Sequence, residues 1–462
     1  MRVLLVDLPA RDGVVSKDTV AGGYGSRLLP FSKVTRVIST LKQGFHDVPS
    51  VQLAYLAGIL EQWGHDVVWS RGDEMAGDVA IILSSLVDYR HECAWSDMAR
   101  SRGVRTGFIG LTCSKLPQLF RDHADFVVSG EPEAAIQRLA QGEPLAGDVA
   151  SPEISDLDSL PFPRWNVESR SRWWVPFAGR PYGGGFPLLA SRGCPESCTY
   201  CPHRILADYR ARSVANIIDE LGTLCDAFRR PYVIFRDPLF SQQRDRAMAL
   251  ADEIRARKLD LRFECETRLD RLDPELVDAL HAAGLRAMSF GVESMDPHTL
   301  KRAGRRPTPE AHQRLIIDHC RARGIVTAAF YVLGFLQDDW NSIAATIDFA
   351  IDLGSTVAQF KLLTPYPATP LWKQMASRVY ETDWQKFDGF TPTFTHPNLT
   401  AQELRFLLGA AYTRFYMRPS WLSNYWRIQA PQIRSVVERW DERVARRHAR
   451  EELAEMSRTV TC

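Results

Sequence analysis

Strand-like and helix-like patterns alternate along this chain in two successive blocks, and this constrains the fold more than any other feature. A strand that leads through a helix into another strand returns parallel to the first, with its helix covering one sheet face. In the first block the apolar run Arg2 to Leu8 is followed by Val51 to Trp63, where Leu53, Leu56, Ala57 and Leu60 share one helical face. Asp66 to Ser70, Val79 to Leu83, Thr106 to Leu111 and Asp125 to Val128 read as further strands, with helical segments near Glu92 to Arg102 and Glu133 to Ala140. This predicts a doubly wound, Rossmann-like parallel sheet over residues 1–145, with ligands bound beyond the carboxyl ends of its strands. The loops there (Asp7 to Ser50, Ser84-Ser85, Thr112 to Ser114, Ser129-Gly130-Glu131) are rich in small and hydroxyl residues that let a large flat ligand approach. No GxGxxG follows the first strand, which argues against a dinucleotide.

Residues 146–185 carry Pro161, Pro163, Trp165, Trp173, Trp174, Pro176, Tyr182 and Gly183 to Gly185, the composition of an interdomain connection whose tryptophans either cover a pocket or pack on the next domain. The second block, residues 186–375, has six strand patterns: Phe186 to Ser191, Tyr232 to Arg236, Leu261 to Glu266, Ala287 to Gly291, Val326 to Leu333 and Val357 to Leu362. Helical patterns Ala215 to Phe228, Arg244 to Arg257, Pro274 to Ala283, Pro309 to Arg323 and Ser342 to Leu353 separate them, and the last strand lacks a clear following helix. Six parallel strands cannot close an eight-stranded barrel but can form an open partial (β/α)6 barrel, with functional residues at the strand carboxyl ends. Residues 376–462 read as mainly helical: Thr400 and Glu403 make a capping-box pattern opening Thr400 to Tyr416, and Ile433, Val437, Trp440 and Val444 recur at helical spacing.

The loop after the first strand of the second block holds Cys194, Cys198 and Cys201 in the spacing CxxxCxxC. A structural zinc site takes four protein ligands, and no fourth Cys or His follows at zinc-ribbon spacing, although His203 lies two residues on. Three thiolates on a 4Fe-4S cluster leave one iron open. A zinc knuckle and three unrelated buried thiols are the other readings. The remaining cysteines (Cys93, Cys113, Cys225, Cys265, Cys320, Cys462) are dispersed without a disulfide framework, which fits a reducing compartment. At 462 residues the chain exceeds one core, and two to four domains are expected. A formal net charge of +1 gives no bulk attraction to nucleic acid or to an anionic membrane. Val3 to Val6 is interrupted by Asp7 and Pro9 and reads as a strand rather than a signal-peptide core, and no apolar stretch is long enough to cross a bilayer. A cytoplasmic enzyme is expected.

With Tyr200 just before the last cysteine, this segment resembles the radical S-adenosylmethionine superfamily, in which the open iron takes the amino and carboxylate groups of S-adenosylmethionine. The other strand ends carry the likeness further. Arg236-Asp237-Pro238 ends the second strand, where the family holds the methionine amine, and Glu266 and Arg268 end the third. Gly291-Val292-Glu293-Ser294 ends the fourth and resembles the family's Gly-Val-Glu-Ser segment, whose carboxylate reaches the cofactor's polar groups. Gly334 ends the fifth, where a missing side chain lets adenine approach backbone. Leu362 ends the sixth, ahead of Ala368, where the family usually has Gly. Taken singly, each carboxylate is equally a helix cap or a surface charge.

The first block resembles the cobalamin-binding domain of cobalamin-dependent members of that superfamily, on Pro49 to Leu60, Gly130-Glu131-Pro132-Glu133 and Leu157 to Pro163. Many such domains carry an Asp-x-His-x-x-Gly loop whose His ligates cobalt. Here the loop reads Asp7-Leu8-Pro9, with Pro9 where that His would stand. The resemblance therefore implies cobalamin held by Ser84, Ser85, Ser114 and Gly130 without a histidine ligand, the residues near Ser84 to Val87 facing the cobalt and His46 solvated in its loop. A domain that only packs on the catalytic one is the other reading.

The resemblance implies a methyltransferase using a 4Fe-4S cluster, S-adenosylmethionine and cobalamin, supplied with electrons by a reductase, flavodoxin or ferredoxin. The cluster cleaves S-adenosylmethionine to a 5'-deoxyadenosyl radical, which takes hydrogen from an unactivated position. Methylcobalamin then methylates a carbon or phosphorus of a small molecule, by family analogy a secondary metabolite, and a second S-adenosylmethionine remethylates the cobalt. The alternative keeps the radical but ends in cyclisation, rearrangement or oxidation. An iron-sulfur sensor or scaffold would leave the rim of Glu293 and Gly334 unexplained. No residue is singled out as catalytic.

Overall fold

Both blocks form parallel sheets. In the computed structural model, which describes residues 1–10, 12–17, 23–45, 48–165, 185–228, 230–423 and 426, the first sheet holds six strands. They are β1 (Arg2–Val6), β2 (Asp66–Ser70), β3 (Val79–Leu83), β4 (Arg105–Ile109), β5 (Phe126–Gly130) and β6 (Gly147–Ser151), in the order β2-β1-β3-β4-β5-β6 and all parallel. β1 and β3 are continuous apolar runs because both their faces are covered: Val3 and Leu5 pack with Leu56 and Leu60, while Leu4 and Val6 pack with Ile82 and Phe108. Strand order reverses between β1 and β3, the point beside which a doubly wound sheet offers a crevice.

The helix Val51–Gln62 begins at Ser50, whose Oγ accepts from the Leu53 amide at 3.4 Å. It is buried almost all round because the chain returns over its outer side, where the Arg164 amide donates to Ala54 at 2.9 Å. A side chain at Gly58 would meet the Phe162 carbonyl oxygen at 2.6 Å.

Two features of the first block differ from expectation. The edge strand β6 carries the sheet past residue 145 to Ser151; Gly-Asp-Val-Ala-Ser has no apolar alternation because only Val149 and Ser151 turn inward. The long first loop also contains a hairpin (Val14–Ser16 with Ser26–Leu28) and a helix, Lys33–Phe45.

The second sheet runs in sequence order: β7 (Gly185–Leu188), β8 (Tyr232–Phe235), β9 (Arg262–Thr267), β10 (Leu285–Glu293), β11 (Val326–Leu333) and β12 (Val357–Leu362). Among the described residues β7 and β12 pair only on one side, so the barrel is partial and open. β12 is followed by a short helix, Pro370–Met375, and is covered by one from further along: Ala401–Tyr416 lies on it, with the Tyr412 hydroxyl donating to Phe360 O at 3.1 Å and that of Tyr416 to Ala358 O at 2.7 Å. Thr400 and Glu403 do form its capping box. Between them, Ala376 to Leu399 is mostly loop with two short 3₁₀ turns rather than helix, as Asp388, Gly389, Pro392 and Pro397 dictate. His46, residues Trp173, Trp174, Pro176 and Tyr182 to Gly184, Cys462 and the helix expected around Ile433 to Val444 lie outside the described residues.

The two sheets are docked through apolar contacts and aromatic stacking. Tyr24 of the first loop stacks on Tyr366 at 5.6 Å, donates to Pro367 O at 2.8 Å, and shares a buried cluster with Leu86, Leu111 and Phe387. Among the described residues no helix is long and apolar enough to cross a membrane.

Candidate active site

The cysteine segment follows β7 and is fastened from several directions. Gly193 sits at φ +71°, and a Cβ there would lie 2.4 Å from Asp208 O and 2.5 Å from Ala207 O, so only glycine fits. The Thr199 amide donates to Ala303 O at 2.9 Å, and Thr199 O accepts from the Leu371 amide at 3.0 Å. Glu196 pairs with Arg268 at 3.2 Å and with Arg271 at 2.9 Å, tying the segment to the end of β9. Tyr200 packs edge-on to Phe335 at 5.6 Å, beside Gly334.

The three cysteines are free thiols, Cys198 buried and Cys194 and Cys201 partly so. Burial pushes the Cys194 thiol up, and burial with the neighbouring Cys198 pushes Cys201 to about 12. Backbone amides of Glu196 and His203 act the other way, favouring the thiolates of Cys194 and Cys201 respectively, and Arg305 Nη1 lies 3.9 Å from Cys198 Sγ. Buried thiols supplied with donors and a guanidinium suit thiolates on a cationic group. Among the described residues no three Cys, His, Asp or Glu side chains are placed around a single metal ion. Tetrahedral zinc with bonds of about 2.3 Å would draw its sulfurs to within about 3.8 Å of one another. Three thiolates leave a structural zinc one ligand short, whereas on a 4Fe-4S cluster they leave one iron open, so the donor set fits the cluster.

The other strand ends surround this segment. Glu293 adopts φ +70° at a bulge in β10 and is mostly buried, facing Arg305 at 3.6 Å and adjoining the buried Tyr200 hydroxyl. Burial raises its carboxyl and the Arg305 guanidinium opposes this. Backbone strain of this kind at a non-glycine residue persists only where its surroundings enforce it. Gly291 makes the fold-back possible, since a Cβ there would be 2.1 Å from Glu293 Oε1. Ser294 is buried, its Oγ accepting from the Asp296 amide at 3.1 Å. Gly334 has φ +84°, and its amide and that of Phe335 each donate to Asp338 at 2.9 Å. Burial lifts the Asp338 carboxyl to about 6. Leu362 is buried, its amide donating to Gly389 O at 2.8 Å. Arg236 pairs with Glu266 at 2.7 Å. Asp237 turns away from the rim: it accepts from the Ala190 amide at 3.0 Å and the Ser191 hydroxyl at 2.5 Å, fixing the chain that leads into the cysteines.

A cleft opens between the two sheets. Gln52, Gly110, Leu111, Ser114 and Gly130 to Glu133 line it from the carboxyl-end side of the first sheet, and Leu189, Arg192, Gly193, His203, Arg236 and Pro238 from the barrel. The Gly130 amide donates to Ser114 Oγ at 3.0 Å. Ser84 and Ser85 are not brought to the cleft. Ser84 donates to Ile109 O at 2.7 Å and Ser85 to Glu92 at 2.7 Å, both fully inside, while the next residue, Leu86, packs with Tyr24 and donates its amide to Tyr24 O at 2.9 Å.

Arg192, Arg210 and Tyr55, which sequence reasoning did not bring to Glu131 and Glu133, form a clasp with them across the cleft. Arg192 pairs with Glu133 at 2.8 Å and Glu131 at 3.4 Å, lies 4.9 Å from the Tyr55 ring centre, and Arg210 pairs with Glu131 at 2.7 Å. The Gly130 to Glu133 segment was visible in the sequence, but its cationic partners lie some sixty residues or more away along the chain. His203 also faces the cleft; burial, with Arg236 nearby, lowers its imidazole to about 4 and keeps it neutral.

Comparison with known proteins bears on the same segment. Residues 188–350 match the radical SAM superfamily. An uncharacterised methyltransferase of Pyrococcus horikoshii is 27% identical over 317 residues, 64% of this chain and 68% of that protein. Bacteriochlorophyllide d C-12(1)-methyltransferase of Chlorobaculum tepidum is 25% identical over 336 residues, 71% of this chain and 72% of its own. In fold, the chain resembles the radical S-adenosylmethionine methyltransferase TsrM of Kitasatospora setae, solved with cobalamin and a [4Fe-4S] cluster, at a TM-score of 0.62 and 18% identity over 95% of this chain and 99% of that one. It also resembles OxsB, solved with aqua-cobalamin and S-adenosylmethionine, at 0.60 and 13%, over 88% of this chain and 65% of that one.

Proposed function

We propose, on the premise that this chain carries a radical S-adenosylmethionine domain, that it is a cobalamin-dependent methyltransferase acting on an unactivated carbon, or a phosphorus, of a small molecule. The observation that carries this reading is the cleft itself. One wall is the cysteine segment (Arg192, Gly193, His203) and the other is the carboxyl-end edge of a doubly wound sheet (Gly110, Ser114, Gly130), so a ligand of either half faces a ligand of the other. When bound, the cluster supplies the electron that cleaves S-adenosylmethionine, and cobalamin supplies the methyl group.

In this reading Cys194, Cys198 and Cys201 hold the cluster, with Glu196 anchored by Arg268 and Arg271 to keep the segment from shifting. Glu293 and Gly334, with the Arg236–Glu266 pair, orient S-adenosylmethionine, and Ser114, Gly130 and Gln52 bear on cobalamin. Tyr24 and its apolar cluster close the domain junction against water, which protects a radical from quenching.

The experiment needs no substrate. The full chain, reconstituted anaerobically with iron, sulfide and cobalamin, is given reductant and S-adenosylmethionine, and S-adenosylhomocysteine and 5'-deoxyadenosine are quantified. S-adenosylhomocysteine that forms only when cobalamin is present is the expected result. No retained cobalamin, or 5'-deoxyadenosine with no S-adenosylhomocysteine, would overturn methyl transfer.

A further inference from the structure

Part of the barrel rim is held by a segment from outside the barrel strands. The turn after β11, Gly334 to Asp338, closes on itself: the Asp338 amide donates to Phe335 O at 2.7 Å, and the Asp338 carboxylate accepts from the amides of Gly334 and Phe335 at 2.9 Å each. These bonds fix the shape of the turn, and residues 396–404 fix its place. Leu404 lies against Gly334, where a Cβ would meet its Cδ2 at 3.0 Å. Asn398 Nδ2 donates to Asp338 O at 3.0 Å, and His396 Nε2 stands 2.8 Å from Phe335 O.

The bonds of His396, which is 7% exposed, leave its ring one form. Nδ1 faces the amides of Asn398 and Leu399 at 3.1 and 3.2 Å and must accept from them, so the hydrogen sits on Nε2 and is donated to Phe335 O. Burial lowers the imidazole below its ordinary value, which keeps it neutral. The Phe335 ring meets Tyr200 edge-on at 5.6 Å, next to Cys201. One imidazole thus ties the Gly334 turn, and through Phe335 the cysteine segment, to a loop 61 residues further along the chain.

We propose that His396, with Asn398 beside it, is a positioning residue for S-adenosylmethionine, holding the Gly334 to Asp338 turn in the place that receives the ligand. This rests on the reading above, which gives Gly334 to S-adenosylmethionine, and adds to it residues from beyond the barrel strands. A turn fixed before the ligand arrives spares binding the cost of ordering it. Without the His396 donor, Phe335 O keeps only the Asp338 amide, which moves with the turn and so cannot hold it in place.

Two substitutions separate this role from simple support of the loop at 396–399. In His396→Gln an amide N–H₂ can stand where Nε2 stood, and the donation to Phe335 O is kept. In His396→Asn the amide oxygen can stand where Nδ1 stood, so the loop keeps its acceptor while Phe335 O loses its donor. The full chain and both variants are reconstituted anaerobically with iron and sulfide, and S-adenosylmethionine binding is measured by equilibrium dialysis beside iron content and denaturant midpoint. His396→Gln is expected to bind within about twofold of wild type and His396→Asn about fivefold more weakly, the equivalent of about 1 kcal/mol, with iron unchanged in both. The reverse order, equal affinity in all three proteins, or affinity that falls only in step with iron or midpoint overturns the proposal. Should a ring variant not fold, Asn398→Ala, at an exposed position, tests the same turn: a loss of about two- to threefold is expected, and unchanged affinity overturns the proposal. If wild type itself does not bind S-adenosylmethionine, the reading above falls and takes this inference with it; if it binds and the variants do not separate, only this inference falls.

Discussion

Replacing Gly291 with alanine should disable S-adenosylmethionine binding without unfolding the protein. A Cβ at this position would lie 2.1 Å from Glu293 Oε1 and 3.0 Å from Arg305 Nη2. Ordinary contact begins at 3.4 Å, so the carboxyl must retreat by roughly 1.3 Å. Both obstructing atoms are ends of side chains, and Gly291 is not among the glycines with positive φ, so the backbone can tolerate alanine. On the role proposed for Glu293, the loss is a charge-assisted hydrogen bond to S-adenosylmethionine worth roughly 1.5–3 kcal/mol, or about 10- to 150-fold in affinity. The assay is anaerobic equilibrium binding of S-adenosylmethionine to reconstituted protein, with iron content measured on the same samples. Glu293→Gln should show a loss of similar size, and the double variant should be no worse than either single one, because one interaction is being removed twice. Unchanged affinity in Gly291→Ala, or iron lost in step with affinity, would refute the reasoning.

Replacing Cys194, Cys198 and Cys201 together with alanine should abolish the broad absorbance of the reconstituted cluster; a variant that still binds about four irons like its parent would refute the assignment. Gly193→Ala should lose iron as well, since its Cβ meets backbone at 2.4 Å at φ +71°, and full iron content in that variant would show that the loop can re-form. Asp338, lifted to about 6 by burial from an ordinary value of about 3.9, binds its proton more readily folded than unfolded, so its own contribution to stability falls as pH rises between about 4 and 6 and is constant above. In Asp338→Asn, denaturant midpoints of the cluster-free protein should lose that slope; a slope equal to wild type would assign it elsewhere. With Pro9 exposed where a cobalt-ligating histidine would stand, the electron paramagnetic resonance of bound cob(II)alamin should lack a nitrogen splitting from the protein, and a splitting abolished by His46→Ala would contradict this.

The barrel was legible because strand and helix patterns alternate through it: β11 and β12 have the bounds their residues suggest. Edge and loop elements were not, since β6 buries only two side chains and Lys33–Phe45 follows a first loop whose small residues signal no periodicity. At the site, the spacing of three cysteines and the Gly291 to Ser294 segment located the rim, but not the positive φ of Glu293, which depends on a bulge against β11. Ser84 and Ser85 illustrate the opposite failure. Their hydroxyls suit a cleft, yet buried groups at Ile109 and Glu92 claim them, and no local pattern reveals a partner that the fold supplies. The Asp237 side chain likewise finds partners the sequence does not reveal, bracing Ala190 and Ser191, while Arg236 and Pro238 on either side of it line the cleft.

These long-range partners converge on a single short segment. Between Ser191 and Cys201, Ser191 is braced by Asp237, Arg192 reaches the first sheet, Glu196 reaches the end of β9, Thr199 the turn after Lys301, and Tyr200 the loop after β11. The three cysteines alternate with these tethers, so none can move far without straining an ion pair, a backbone hydrogen bond or a packed ring. A single exposed ion pair would hold little. Here the Arg192 pairs are nine-tenths buried, and removing one partner would strand a charge, a loss of several kcal/mol. The same arginine that orders the cysteine segment thus fixes the wall of the cleft opposite it, which couples the geometry of the two halves without requiring either to close on the other.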